Sequence, residues 1–219
     1  INSWSDGARY FIGDRKDLLE EDSKHLVELQ KIGLSSATID VANICYNDEN
    51  VLIKKGRWAQ EEDFEIKSGF VFGFFEGNEI KKLVVRERIA DEEGRFLGGE
   101  DDEVVFGSSE CELTITGGDK SIVVVAEDFL EAWYLSQETW DFATVVTSRD
   151  EESFYKTPFY NANKDSIKHI FTLYFECGII TDGIKYSKLD FAKPLLNDPK
   201  KGEVRSRVIE LLEDGELKR

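Results

Sequence analysis

The sequence predicts an α/β protein, α+β overall, with a mixed, β-rich N-terminal part (residues 1–112) and an α/β C-terminal part (residues 113–219). In the N-terminal part, helical segments precede aromatic and β-branched segments that are separated by short turns, as antiparallel strands are. After Gly117, short strands that are apolar on both faces alternate with helical segments. Such strands are buried on both sides, so the pattern indicates a parallel sheet between helices.

The first segments of the chain are helical. Apolar residues recur at helical spacing over residues 18–32, which predicts one helix or two short ones. Gly33 stands where a glycine commonly ends a helix. Ser35 or Ser36 is suited to begin the next short helix, because a serine hydroxyl accepts a backbone N–H at that position.

Strands follow in the rest of the N-terminal part. NDEN, residues 47–50, is predicted to be a turn. The segment FVFGFFEGNEIKKLVVRERI, residues 70–89, is rich in aromatic and β-branched residues and carries Glu76-Gly77-Asn78 near its middle. This arrangement predicts a β-hairpin with its turn at those three residues. Two short β-like segments, RFLGG and VVFG, follow it on either side of the acidic loop EDDE.

The C-terminal part begins with a turn at Gly117 and an apolar strand over residues 122–125. A helix is predicted to begin at Asp128. FATVVTS supplies a second strand, from about residue 142 to residue 147, and a third lies near residues 169–175. These strands form the predicted parallel sheet.

The charge of the chain limits its functions. Asp and Glu number 45 against 28 Lys and Arg, which gives a net charge of −17. That balance argues against a protein that coats nucleic acid or anionic membranes, since both require a positive face, although a local basic groove stays open. No apolar run approaches the roughly 20 residues that span a bilayer, and no signal peptide is recognisable, so no membrane association is expected.

Cysteine and methionine usage bears on the origin of the chain. Its three cysteines, Cys45, Cys111 and Cys177, are widely spaced and form no C-x-x-C pair, so neither a disulfide framework nor a cysteine zinc site is expected. This usage indicates a reducing, intracellular compartment. The sequence contains no methionine, so we expect the chain to be processed or to be part of something longer.

Carboxylates stand where the apolar strand meets the predicted helix. Glu127 directly follows residues 122–126 and should project from the carboxyl end of the strand, the edge where open α/β sheets bind ligands. Glu131 lies one helical turn further along, on the same side. Two such carboxylates could hold a divalent cation through oxygen ligands. Alternatively, Asp128 and Glu131 merely complement the positive end of the helix, and Glu127 belongs to its entry loop.

Four segments of the chain, taken in order, resemble one protein family. They are KHLVELQKIGLSSATIDVANICYNDENVLI, KKLVVRERIADEEGRFLGG, VVFG and GGDKSIVVVAEDFLEAWYLSQE. The order is similar to that in toprim-type DNA primase cores, as found in phage bifunctional helicase–primases and Twinkle-type helicases. The resemblance covers about residues 22–200. It implies a toprim-like parallel sheet preceded by the N-terminal subdomain of the primase.

The resemblance implies roles for the acidic residues. Glu127 matches the toprim glutamate, which is proposed as a general acid or base close to the metal. Glu131 stands where an aspartate is usual, and Asp128 replaces the glycine that normally follows the glutamate. Glu127 and Glu131 are implied to be ligands of a site for Mg²⁺ (or Mn²⁺).

The same resemblance places Arg86, Arg88 and Arg95 in a basic hairpin that contacts nucleotide phosphates and template. Arginine suits this role, because its guanidinium group binds phosphate through two parallel hydrogen bonds. Alternatively, the three arginines lie on a solvated strand and pair with neighbouring glutamates.

The sequence departs from the family after the third strand. Toprim enzymes carry an Asp-x-Asp motif there, whose carboxylates hold the magnesium ions of nucleotidyl transfer. This sequence has Glu176-Cys177-Gly178 instead, so Glu176 stands for the first aspartate and a glycine for the second. A metal site that lacks one carboxylate should be weakened or lost.

The resemblance therefore implies a DNA-replication protein that binds single-stranded DNA and nucleotides with metal, and whose primer synthesis is weakened or lost. If active, it would be a magnesium-dependent primase, located in the cytoplasm, or in an organelle if Twinkle-type. No G-x-x-x-x-G-K-[ST] motif occurs, so no helicase ATPase is expected on this chain. Alternatively, the chain is a non-catalytic replisome scaffold or an acidic protein-interaction module, with a replicative helicase or another replisome protein as its partner.

Overall fold

The computed structural model describes residues 3–20, 23–98, 103–108, 112–173, 183–191 and 194–217. The chain divides into two units, Ile1–Cys111 and Glu112–Arg219, each with its own sheet and its own buried core. No helix among the described residues has both the length and the apolar character needed to cross a membrane.

The N-terminal unit begins with helices: α1 (Trp4–Arg15), a 3₁₀ turn (Lys16–Leu19), α2 (Lys24–Lys31) and α3 (Ser36–Val41). The predicted helical stretch over residues 18–32 is thus divided between the 3₁₀ turn and α2. A serine caps each α-helix, and Ser35 takes this role for α3, where its hydroxyl accepts the N–H of Thr38 at 3.2 Å. Gly33, at φ 101°, follows the end of α2 as predicted.

The described residues of this unit also form the strands β1 (Ile44–Asn47), β2 (Val51–Ile53), β3 (Phe64–Ile66), β4 (Gly69–Glu76), β5 (Glu79–Arg86) and β6 (Glu103–Gly107). Four of them form an antiparallel sheet in the order β1-β4-β5-β6, and β2 pairs with β3. The predicted hairpin is β4–β5. Its turn has Gly77 at φ 60°, a conformation that glycine adopts without steric cost.

Trp58 lies at the centre of the core in the N-terminal unit. Only 2% of its surface is exposed, and its indole ring meets the rings of Trp4, Phe11 and Phe64 edge-on. Helix α1 can pack this closely because residue 7 is a glycine: a Cβ at that position would overlap the Trp58 ring. The close approach of α1 to Trp58 therefore depends on Gly7.

The C-terminal unit alternates strands and helices. Its elements are β7 (Thr114–Ile115), β8 (Ile122–Ala126), α4 (Phe129–Thr139), β9 (Thr144–Thr147), α5 (Glu151–Lys156), α6 (Pro158–Asn163), β10 (His169–Thr172), β11 (Lys185–Lys188), a 3₁₀ turn (Leu195–Asn197) and α7 (Glu203–Leu217). The described strands lie in the order β11-β10-β8-β9-β7; β7 runs antiparallel to β9, and the other neighbouring pairs run parallel. The predicted parallel sheet is confirmed.

Strand β8 is the centre of this sheet, with β10 on one side and β9 on the other. Its residues 123–126 are all buried, as the continuous apolar run predicts. Val123 and Val125 pack against Phe154 of α5 and Tyr160 of α6, while α4 contacts both β8 and β9. Because β8 is held from both sides, the residues that follow it leave the sheet at a fixed point.

We expect Gly7→Ala to lower the free energy of unfolding by about 1–3 kcal/mol, because the added methyl group overpacks the Trp58 ring. Gly13→Ala is the matched control in the same helix: a Cβ there meets nothing within 4 Å. It should leave stability unchanged or raise it by up to about 1 kcal/mol, through the better helix propensity of alanine. Urea denaturation followed by tryptophan fluorescence measures both, and equal effects of the two substitutions would contradict the packing described.

Candidate functional site

The carboxyl ends of four parallel strands meet at one edge of the C-terminal sheet. Strand β8 leads there into Glu127, β9 into Ser148 and Arg149, and β11 into Leu189 and Asp190. Pairing in register keeps the first two of these ends together: Ala126 lies opposite Thr147, and the Ser148 N–H donates to the Ala126 carbonyl oxygen at 2.8 Å. In open α/β sheets this is the edge at which ligands bind.

Glu127 is exposed and directly follows the buried end of β8. Its predicted position at the carboxyl end of a parallel strand is confirmed, and its catalytic and metal-binding roles remain predictions. Its neighbour Asp128 caps α4, since its Oδ1 atom accepts the N–H of Leu130 at 2.7 Å. Asp128 therefore contacts the first turn of α4, which agrees with the alternative that it complements the positive end of this helix.

Glu131 is placed in the packing of the C-terminal segment. It is 2% exposed, and its Oε1 atom accepts the N–H of Leu195 at 2.9 Å. Glu138, two turns further along α4, also accepts a backbone N–H of the C-terminal segment. Its Oε2 atom accepts the N–H of Gly202, just before α7, at 2.6 Å. The two carboxylates thus hold the chain that leads from the 3₁₀ turn into α7. The role of Glu131 as a metal ligand stays a prediction, and its carboxylate already has a structural partner.

Arg86 lies inside the N-terminal sheet. It is 2% exposed, and its Nε and Nη2 atoms donate to Oε2 of Glu103 at 3.2 and 3.0 Å. Glu103 sits opposite Arg86 in the pairing of β5 with β6. This ion pair holds the edge strand β6 against β5. A phosphate-binding role for Arg86 stays a prediction, whereas its structural role follows from the contact.

The other two predicted arginines are exposed. Arg95 closes a tight turn: its Nε donates to Oδ2 of Asp91 at 2.7 Å, and it also pairs with Glu93. The backbone N–H of Arg95, and then its side chain, lower the pKa of Asp91 below its usual value, so this carboxylate stays ionised. Arg88 lies two residues after the end of β5 and is exposed. The structure therefore assigns the three arginines to three different environments.

Arg149 is a candidate ligand-binding residue that was not predicted from the sequence. It is exposed at the carboxyl end of β9, the neighbour of β8, and forms no ion pair within the described part of the chain. A guanidinium group in this place suits an anionic ligand such as a phosphate. The sequence offered only one signal for it, a cation two residues after the apolar strand that ends at Thr147.

The described carboxylates do not by themselves complete a metal site. Among residues 3–20, 23–98, 103–108, 112–173, 183–191 and 194–217, no group of three or more His, Cys, Asp or Glu side chains could hold a metal ion. Glu127 has the oxygen chemistry that magnesium prefers, but Asp128 and Glu131 each bind a backbone N–H. The predicted ligand Glu176, together with Gly178, lies outside the described residues.

No protein-family model matches the chain, and no curated protein matches it significantly. Solved primase structures do resemble it. The DnaG primase catalytic domain bound to ssDNA has a TM-score of 0.54 and 12% identity, with 96% of this chain and 76% of that chain covered. The Aquifex aeolicus primase (zinc-binding and RNA polymerase domains) has a TM-score of 0.59 and 10% identity, with 96% and 60% covered.

The E. coli primase catalytic core has a TM-score of 0.51 and 12% identity, and the match covers 94% of this chain and 75% of that chain. All three likenesses extend over both units of the chain, a wider extent than the approximate range 22–200 covered by the sequence resemblance. The chain therefore has the fold of a primase catalytic core.

Proposed function

We propose that the chain is a primase-like DNA-replication protein that binds single-stranded DNA and nucleotides, and in which primer synthesis is weakened or lost. The observation that carries the proposal is the primase-core fold, with Glu127 exposed at the carboxyl end of its central parallel strand. One of the similar structures is a primase catalytic domain bound to single-stranded DNA, which supports the choice of ligand. Such a role requires an intracellular location, cytoplasmic or organellar.

The residues at the carboxyl edge suit a bound nucleotide. The exposed guanidinium of Arg149 can hold phosphate oxygens through paired hydrogen bonds. Glu127, on the neighbouring strand, can accept or return a proton at a reacting hydroxyl group. A bound Mg²⁺ or Mn²⁺ would neutralise phosphate charge, and Glu127 and Glu176 are the residues proposed to hold it.

Two features support weakened or lost synthesis. Nucleotidyl transfer by two metal ions needs several carboxylate oxygens close together. Gly178 stands where the second aspartate of the family motif is expected, and Glu131 binds the Leu195 N–H. These two positions therefore offer fewer ligands than the corresponding positions of an intact two-metal site would supply.

A scaffold that makes no primers is the second candidate. It is favoured by the charge of −17 and by the structural use of two predicted site residues, Arg86 and Glu131. In this case the acidic surface would bind a replicative helicase or another replisome protein that presents a basic face. Binding of single-stranded DNA at low salt distinguishes the two candidate functions, because a protein that acts only as a scaffold is not expected to bind DNA.

We expect the unmodified chain to make no primers, or to make orders of magnitude fewer than an intact primase. Glu127→Gln should weaken Mn²⁺ binding by about tenfold, and Gly178→Asp should strengthen it, because the affinity follows the number of charged ligands. Asp165→Asn, at an exposed acid on the segment that leads into β10, is the control and should change nothing. Electron paramagnetic resonance of free Mn²⁺ measures the metal affinity, and incorporation of labelled nucleotides measures primer synthesis. Efficient synthesis that Glu127→Gln abolishes would contradict the loss of activity.

Replacement of Glu131 separates a structural role from metal binding. Glu131→Ala leaves the buried Leu195 N–H without its acceptor and should lower the free energy of unfolding by about 1–3 kcal/mol. Glu131→Gln retains an acceptor oxygen and should cost less. Denaturation and Mn²⁺ titration of both variants provide the test. Weaker Mn²⁺ binding at unchanged stability would instead show that Glu131 is a metal ligand and would contradict the structural role.

The two arginines at the end of β5 should respond differently to replacement. Arg88→Ala removes an exposed cation and should reduce the slope of log affinity for single-stranded DNA against log salt by about 0.7. Arg86→Ala breaks a largely buried ion pair and should mainly lower the free energy of unfolding, by about 3 kcal/mol. Fluorescence anisotropy across a salt series, together with denaturation, measures both. A reduced slope for Arg86→Ala at unchanged stability would establish the phosphate contact predicted for it.

A further inference from the structure

The loop that joins β2 to β3 in the N-terminal unit begins with a cluster of cations. Lys54, Lys55 and Arg57 place three positive charges within four residues, on a chain whose net charge is −17. All three side chains lie on exposed residues. None of the arginines predicted from the sequence belongs to this loop.

The backbone of the loop is a tight turn. The N–H of Arg57 donates to the carbonyl oxygen of Lys54 at 3.0 Å, and Gly56 between them has φ 78°. A hydrogen bond between the first and fourth residues, with a left-handed third residue, is the pattern of a type II turn. The positions of Lys55 and Arg57 on the turn are thus fixed by the backbone.

Contacts made by Trp58, Gln60 and Asp63 hold this turn in place. Gln60 donates from Nε2 to the Lys54 carbonyl oxygen at 2.8 Å and accepts the N–H of Trp58, also at 2.8 Å. Trp58 itself is part of the core. Asp63 accepts the N–H of Lys55 at 2.7 Å. The loop is therefore ordered before any ligand arrives, which reduces the entropy lost on binding.

Two of the three cations are available to a ligand. Lys54 pairs with Asp63 at 3.0 Å; the backbone N–H of Lys55 and then the Lys54 side chain lower the pKa of Asp63, so that carboxylate stays charged. Lys55 and Arg57 form no ion pair within the part of the chain that the structure describes. In contrast, the Arg86 and Arg95 side chains are bound to carboxylates.

Acidic residues follow in the same loop. Glu61 and Glu62 are exposed and pair with neither Lys55 nor Arg57 among the described residues. Their charges should weaken the attraction of an anion to the turn without blocking it. Removal of these two charges should therefore strengthen binding, which gives the inference a test in the opposite direction.

We propose that Lys55 and Arg57 form a phosphate-contact site for single-stranded DNA. The inference rests on the proposed function, because it names the contact through which the DNA is held. Single-stranded DNA offers a row of phosphates, and Arg57 can bind one through its guanidinium fork while Lys55 contacts another as a point charge. Exposed, unpaired cations on a fixed turn suit that ligand better than arginines already bound to carboxylates.

The test is fluorescence anisotropy of the full chain with labelled oligothymidylate over a salt series. The double variant Lys55→Ala/Arg57→Ala should reduce the slope of log affinity against log salt by about 1.4, or about 0.7 for each lost contact. Lys164→Ala/Lys201→Ala removes two other exposed cations and makes the same change in net charge, so it should leave the slope unaltered. Glu61→Gln/Glu62→Gln should bind more tightly than the wild type.

The outcomes separate the inference from the function on which it rests. Suppose that the wild type binds, and that Lys55→Ala/Arg57→Ala and Lys164→Ala/Lys201→Ala reduce the affinity and the salt slope equally. Net charge alone then governs binding, and the inference is wrong. If the wild type binds no DNA even at low salt, the proposed function fails with it. Binding of polyglutamate but not DNA, lost in Lys55→Ala/Arg57→Ala, would assign the loop to an acidic protein and overturn the inference.

Discussion

The parallel pairing of β8 with β9 and β10 is the constraint on which the candidate site depends. Because the three strands run in the same direction and in register, their carboxyl ends reach one edge of the sheet. The apolar run of β8 is buried on both faces, so a shift in its register would expose valines to water. The position of Glu127 therefore follows from the burial of the residues before it.

Some charged residues of this chain form buried contacts that stabilise the fold, and others are exposed to solvent. Arg86 with Glu103, and Glu131 with the Leu195 N–H, are buried or largely buried contacts that join segments distant in sequence. A buried charge without a partner is unstable, so side chains in such places are bound within the protein. Groups such as Glu127 and Arg149, which are exposed at the sheet edge, are better placed to meet a ligand.

Local signals in the sequence predicted the parallel sheet, the start of the α4 helix at Asp128 and the β4–β5 hairpin, because strand periodicity, helix start signals and turns involve neighbouring residues. Partners distant in sequence could not be predicted. Leu195 is 64 residues from Glu131, and only the folded chain brings its N–H to that carboxylate. The resemblance to primases correctly indicated the fold, yet it could not show that Arg86 is buried or that the Lys55–Arg57 turn is exposed.

The central claim is that nucleotide binds at the carboxyl edge of the C-terminal sheet. The most direct measurement is paramagnetic broadening of amide resonances on addition of a Mn²⁺–nucleotide complex, recorded with the full chain. Broadening should be strongest for Glu127, Ser148 and Arg149, and should be absent at Ser121 and Lys168, which precede β8 and β10 at the opposite edge. Broadening centred on the opposite edge, or none at all, would contradict the account.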